Sequence, residues 1–136
     1  MVGPLQARVA TRLSLFTGNR YRGLKLDEKL SPTVVIPREV DDADLTDLSF
    51  GTQEQLMFLT RLCLAEMLSE KHQRQSLMFD DNLVHTDHRR MTIALDILTE
   101  AAQKSQVVLL TCHPERYRRL EGACMVLHFN TMEPAA

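Results

Sequence analysis

Two adjacent carboxylates, Asp80 and Asp81, close the apolar run Leu77-Met78-Phe79. The run reads as a strand buried on both faces, which delivers its last residues to the rim of a parallel sheet, where ligands of α/β folds usually bind. Paired carboxylates there are costly unless a cation meets them, and a magnesium ion is the natural candidate. In nucleotide hydrolysis one such Asp holds Mg²⁺, often through water. A neighbouring carboxylate then orients or deprotonates the attacking water, an effect worth about 10²- to 10⁴-fold. A solvated turn or a helix cap accounts for the same pair without any chemistry.

Two further groups qualify the picture. His113 follows a second apolar run, Val107 to Leu110, within Thr111-Cys112-His113. With the two runs as parallel neighbours it emerges on the same rim, able to donate a hydrogen bond to a terminal phosphate. Taken alone it is a strand-end histidine. Ser49-Phe50-Gly51-Thr52 stands before a helical pattern. Gly51 permits close backbone approach, the free N–H groups of a first helical turn face an incoming anion, and Ser49 and Thr52 add hydroxyls. An ordinary capped helix start explains these residues by themselves. A rival site gathers Asp80, Asp81, His85, Asp87 and His88 around a transition metal, because imidazole and carboxylate suit such ions. His85 and His88 meet only if their segment is helical.

These residues must be carried by a core. At 136 residues the chain fits one domain, and 44% hydrophobic with 25% charged residues excludes a disordered chain. With no Trp and 5% aromatic residues, the core rests on Leu, Val, Ile and Met. A net charge of −2 provides no global field for nucleic acid, so DNA contact needs a local patch or a partner domain. Arg116, Arg118 and Arg119 form a basic cluster after His113, readable as a solvated helix face. Residues 1 to 26 carry Arg8, Arg12, Arg20, Arg22 and Lys25 and no acid. Such a stretch reads as a solvated helix face or, alternatively, as an organellar transit peptide. Cys63, Cys112 and Cys124 are widely spaced in apolar surroundings, the pattern of buried free thiols in a reducing compartment. No stretch is long and apolar enough to span a bilayer and no signal-peptide core follows Met1, so a cytoplasmic protein is expected.

Leu5, Val9, Leu13 and Phe16 recur at helical spacing between Pro4 and the left-handed stop Gly18-Asn19, predicting a helix over 4–17 whose apolar stripe needs a partner. Tyr21 to Leu26 and Thr33 to Ile36 predict a hairpin around the turn Asp27 to Pro32. The acidic stretch Glu39 to Asp47 reads as a loop. Thr52 and Gln55 form a capping-box pattern before Leu56, Leu59, Cys63 and Met67, on a helix buried on more than one face. Then come a strand at Leu77 to Phe79, a helix from Asp87 to Lys104, a strand at Val107 to Leu110, a short basic helix from Pro114 to Leu120, and a third strand at Cys124 to Phe129. This alternation predicts a layered α/β domain with a mainly parallel sheet and flanking helices.

Taken together and in this order, Leu48-Ser49-Phe50-Gly51-Thr52-Gln53, Leu77 to Asp81, and Thr111 to His113 resemble the C-terminal lobe of ABC-type ATPases. The resemblance is to the SMC, RecF and related DNA-repair branch. Leu48 to Gln53 is similar to the signature motif, with Phe50 where glycine is usual. Leu77 to Asp81 is similar to Walker B, Val84 to Asp87 to the D-loop, and His113 to the switch histidine. The match covers 45–130, leaving a helix at 1–18 where a coiled-coil arm rejoins the head in this branch, a hairpin and acidic loop at 19–44, and a tail at 131–136.

The resemblance implies the C-terminal half of a P-loop ATPase head, binding ATP and Mg²⁺ in the complete enzyme. Asp80 would hold Mg²⁺, Asp81 would stand where the catalytic Glu is usual, and His113 would contact the γ-phosphate. Ser49, Gly51, Thr52 and Gln53 would meet nucleotide bound by a second head, and Asp87 would communicate across that dimer. No Gly-x-x-x-x-Gly-Lys-Ser/Thr occurs in the chain, so the phosphate cradle is absent. The expected partners are therefore an N-terminal Walker A lobe and a second complete head, with DNA reached only through the complete protein and no membrane. On this reading the chain is a fragment, a truncated product or half of a split ATPase. The other function class is a non-catalytic module that keeps the fold and docks a partner through its first helix and the helix after Thr52.

Overall fold

Leu5, Val9, Leu13 and Phe16 all fall on one face of helix α1, Val2–Phe16, and all four are fully buried. The structure is a computed structural model that describes residues 1–71 and 74–128. The partner that α1 needs is helix α2, Phe50–Lys71, which buries Leu56, Phe58, Leu59, Leu62 and Cys63. Two arginines fix how they lie. Arg8 grips Glu70 through both guanidinium nitrogens at 2.9 and 2.6 Å, and Arg12 donates to Glu66 at 2.9 Å. The pairing 8 with 70 and 12 with 66 sets the helices antiparallel. The basic N-terminal stretch thus has its apolar side in the core and two of its arginines closed on α2, with the rest of its polar face partly or fully exposed.

Gly18 and Asn19, at φ +60° and +63°, end α1 in the left-handed region as predicted. Strands β1, Tyr21–Leu26, and β2, Pro32–Pro37, form the expected antiparallel hairpin. Its turn is held by Asp27, whose Oδ1 accepts from the amides of Lys29 and Ser31. The acidic stretch is more ordered than a loop. Ala43–Asp44 adds a two-residue strand, β3, antiparallel to β2, and Leu45–Asp47 makes a 3-10 turn.

The second sheet carries the candidate chemistry. Strand β4, Ser76–Asp80, pairs in parallel with β5, Gln106–Leu110, in a register that sets Asp80 opposite Leu110. Helix α3, His88–Ala102, makes the crossover and buries Met91, Ala94, Leu95, Ile97 and Leu98. Thus the α/β layering is present, but the sheets are small and the larger one, among the described residues, is antiparallel. The strand expected at Cys124 to Phe129 is absent through His128, and Phe129 lies outside the described residues with the 131–136 tail. Residues 124–128 are exposed, Met125 at 85%, and only an isolated bridge from Glu121 to Cys124 touches this stretch. With no sheet edge joined and no apolar surface covered, β propensity alone does not make a strand.

Two other expectations change. Strand β4 is buried on one face only: Leu77 and Phe79 point into the core, Met78 is 65% exposed. Of the three free cysteines, Cys63 is buried while Cys112 and Cys124 are exposed, because both lie in connections beyond the core elements. Burial pushes the Cys63 thiol up to about 11, marking it as inert packing. Among the described residues no helix is long and apolar enough to cross a membrane.

Leu59 sits fully buried where α2 meets the rest of the core. Leu59→Ala is expected to lower unfolding free energy by about 2–5 kcal/mol, read as a shifted urea midpoint at unchanged slope. A loss below about 0.5 kcal/mol would contradict this core assignment.

Candidate functional site

Where β4 ends, Asp81 takes φ +47°, a left-handed turn that Asp tolerates better than most residues, and its amide still donates to Leu110 O at 2.9 Å. The chain therefore leaves the sheet with the Asp81 carboxylate aimed across at the segment after β5. Thr111 Oγ1 donates to Oδ1 at 2.6 Å and the Cys112 amide donates to Oδ2 at 3.2 Å. The Thr111 hydroxyl in turn accepts from the His113 amide at 2.9 Å. One carboxylate thus organises the whole Thr111-Cys112-His113 turn. The same contacts set its titration: the Thr111 hydrogen bond pulls the Asp81 carboxyl below the ordinary aspartate range, opposed by partial burial and aided by Cys112 and the nearby His113. The half-buried Tyr117 phenol moves the other way, raised first by burial and then by the Asp81 charge.

Asp80 differs from its neighbour. Its amide donates to Asn82 Oδ1 at 2.8 Å, while its exposed carboxylate meets no side chain among the described residues. A hard anionic oxygen free at a strand end suits Mg²⁺, which keeps most of its waters and takes one or two carboxylates. His113 is exposed on the same rim, with Nδ1 3.5 Å from Glu115 Oε1.

The loop from Asn82 to Asp87 then crosses to the start of α2. Ser49 caps that helix: its Oγ accepts from the Thr52 amide at 3.3 Å and lies 2.9 Å from Thr52 Oγ1. The helix thereby starts three residues earlier than the Thr52-Gln55 pattern predicted, with Ser49 and not Thr52 as its cap. Gln53 donates to Leu48 O at 2.9 Å and braces the preceding turn. Gly51 does allow close approach, but of this loop: a Cβ there would stand 2.7 Å from the His85 carbonyl oxygen. Phe50, 66% exposed, meets the His85 ring edge-on at 5.2 Å. Glu54 completes the hold, accepting from the His85 amide at 3.2 Å and lying 3.1 Å from its Nδ1.

Below these contacts runs a buried polar link. Gln55 donates to Thr86 Oγ1 at 3.4 Å and accepts from Arg90 at 3.1 Å. Asp87 caps α3, accepting from the Arg90 amide at 3.0 Å, with its second oxygen 3.4 Å from Arg90 Nε. On the far side Arg116 donates to the carbonyls of Leu83 and Thr86. The structure therefore places Asp80, Asp81 and His113 on one rim and brings Gly51 against the 82–87 loop, while Ser49, Thr52 and Gln53 bond within the start of α2. It does not assemble the transition-metal site, since no group of three or more His, Cys, Asp or Glu converges on a metal position among the described residues. His85 is turned to Glu54 and Asp87 to Arg90, and the segment between His85 and His88 is not helical. Sequence reading missed Glu54 and gave Gln55, Thr111 and Arg116 other parts, as a capping-box residue, a member of the switch-like motif and part of a basic cluster. Only Gln55 carried a signal, a polar residue at a buried helical position.

Because the folded-state pKa of Asp81 lies below its unfolded value, the Asp81–Thr111 link stabilises the fold above roughly pH 4. That contribution is lost as pH falls through the lowered folded pKa. Thr111→Val is expected to move the Asp81 carboxyl back up toward the ordinary aspartate range in a ¹³C NMR titration; an unmoved pKa would contradict the hydrogen bond's role.

No family model matches the sequence. Uncharacterized proteins of Mycobacterium tuberculosis and Mycobacterium bovis are 36% identical over 76 residues, a segment covering 56% of this chain and 9% of each relative. The chain spans about a tenth of the length of these curated relatives. In three dimensions it is similar, at TM-score 0.63 and 14% identity, to a chain from structural work on ATP-driven dimerization and DNA-stimulated activation of SMC ATPases. That superposition covers 85% of this chain and 70% of the other. The fold thus resembles part of an SMC ATPase.

Proposed function

We propose that the chain is the C-terminal lobe of an SMC- or RecF-like ATPase, hydrolysing ATP only with a Walker A lobe and a second head, in DNA repair or chromosome maintenance. The observation that carries this reading is the meeting of the three motif segments at one end of β4 and β5. In this assignment Asp80, with its unpartnered carboxylate, holds Mg²⁺, which when bound neutralises charge developing on the phosphates. Asp81 keeps two of its lone-pair positions occupied by Thr111 and Cys112, leaving others to accept from water. A carboxylate with a lowered pKa is a weak proton acceptor, so its part is to orient the attacking water more than to deprotonate it. His113, fixed through its amide, contacts the γ-phosphate. Ser49, exposed at the start of α2, faces nucleotide on the opposing head, while Thr52 behind it is buried and caps the helix with it.

The uncovered face of the second sheet supports a missing lobe. Met78 at 65% and Leu110 at 37% exposure lie beside Asp80 on that face, where two short strands alone form a marginal sheet. The non-catalytic alternative has less apolar surface to dock through, because most of the apolar faces of α1 and α2 are buried in the core, while Leu15, Phe50 and Leu68 stay exposed on them.

The test mixes the chain with a cognate Walker A lobe and measures phosphate release. Turnover should require both pieces, and Asp80→Ala and Asp81→Asn should each lower it by about 10²-fold. Turnover indifferent to both substitutions would sink the assignment.

A further inference from the structure

Arg116 lies outside the three motifs, yet it is the residue whose side chain reaches from the switch segment to the 82–87 loop. It belongs to the 3-10 helix Pro114–Leu120, and its amide donates to His113 O at 3.1 Å, so its distance from the switch histidine is fixed by one turn of backbone. Its Nη2 donates to Leu83 O at 2.9 Å and to Thr86 O, with the Met91 thioether Sδ at 4.0 Å. None of the ion pairs among the described residues involves it. The half-buried guanidinium is therefore committed to carbonyl dipoles, and hydrogen bonds from a charged donor are about twice as strong as neutral ones. Leu83 and Thr86 are themselves buried, so their carbonyls have little access to water as substitute partners. On its other side the same loop is held by α2, through Glu54 on His85, Gln55 on Thr86, and the close contact at Gly51. The loop is thus gripped from two directions, by the signature-like helix and by the switch segment.

We propose that Arg116 is a positioning residue that locks the 82–87 loop to the segment carrying His113, so that displacement of one moves the other. Its grip on the loop stands on contacts within this chain, whereas its consequence for turnover rests on the ATPase reading above. Both carbonyls are held from the one terminal nitrogen Nη2; the shorter lysine chain reaches them less well, and an alanine not at all.

The experiment compares amide hydrogen exchange in the 136-residue chain for wild type, Arg116→Ala and Arg116→Lys, together with turnover in the two-lobe mixture. Expected is exchange at Val84, His85 and Thr86 faster by about tenfold in Arg116→Ala and less so in Arg116→Lys, with α1 and α2 amides unchanged. Millimolar guanidinium should slow the loop again in Arg116→Ala. If Arg116→Ala fails to fold, Arg116→Lys still decides: wild-type exchange at all three amides overturns the proposal. In the two-lobe mixture Arg116→Ala should lower kcat by about tenfold with KM little changed, the sign of lost positioning and not of lost binding. Wild-type kcat beside a loosened loop overturns the coupling. Absence of turnover even in wild type counts against the ATPase reading, while loop exchange still judges the grip of Arg116.

Discussion

The Asp81 carboxylate is the tie on which this end of the molecule depends. A parallel strand pair leaves two chain ends side by side, and nothing in the ladder holds the segments beyond them. Asp81 turns the chain at φ +47° while its carboxylate binds Thr111 and Cys112 across the gap. That tie sets the path of the 82–87 loop on one strand and the placement of His113 on the other. A backbone in the left-handed region costs a non-glycine residue about 1–2 kcal/mol, offset here by two hydrogen bonds to a charged group.

The second constraint is the narrow space between that loop and α2. Gly51 leaves room for the His85 carbonyl, and Glu54 and Gln55 then satisfy the loop's amide and hydroxyl. Packing, buried polar satisfaction and capping all converge on a few residues. The start of α2 is consequently part of the same body as the ends of β4 and β5, although it is about thirty residues away in sequence. This gives a physical route by which events at one motif reach another.

Much of this was legible in the sequence. The periods of Leu5, Val9, Leu13 and Phe16, and of Met91, Ala94, Leu95 and Leu98, predict α1 and α3, and Gly18-Asn19 predicts the stop between α1 and β1. The apolar runs ending at Asp80 and Leu110 predict the parallel pair and its rim. The illegible parts depend on long-range contact. Leu77-Met78-Phe79 has the composition of a strand covered on both faces, and only the packing reveals that Met78 stays exposed. Cys124 to Leu127 has strand composition but no neighbour to pair with. Thr111 and Arg116 carry no local pattern that distinguishes a cap for Asp81, or a clamp on Leu83 and Thr86, from ordinary polar surface.

On the proposed reading the rim of β4 and β5 is one half of a nucleotide site, completed by a lobe laid on the uncovered sheet face. The most direct test is a crystal structure of the chain bound to a Walker A lobe with Mg²⁺ and a non-hydrolysable ATP analogue. The account predicts Asp80 in the coordination sphere of the metal, directly or through one water, the His113 side chain at the γ-phosphate, and Met78 covered. Nucleotide and metal bound away from Asp80 and His113, with Met78 still exposed, would contradict it.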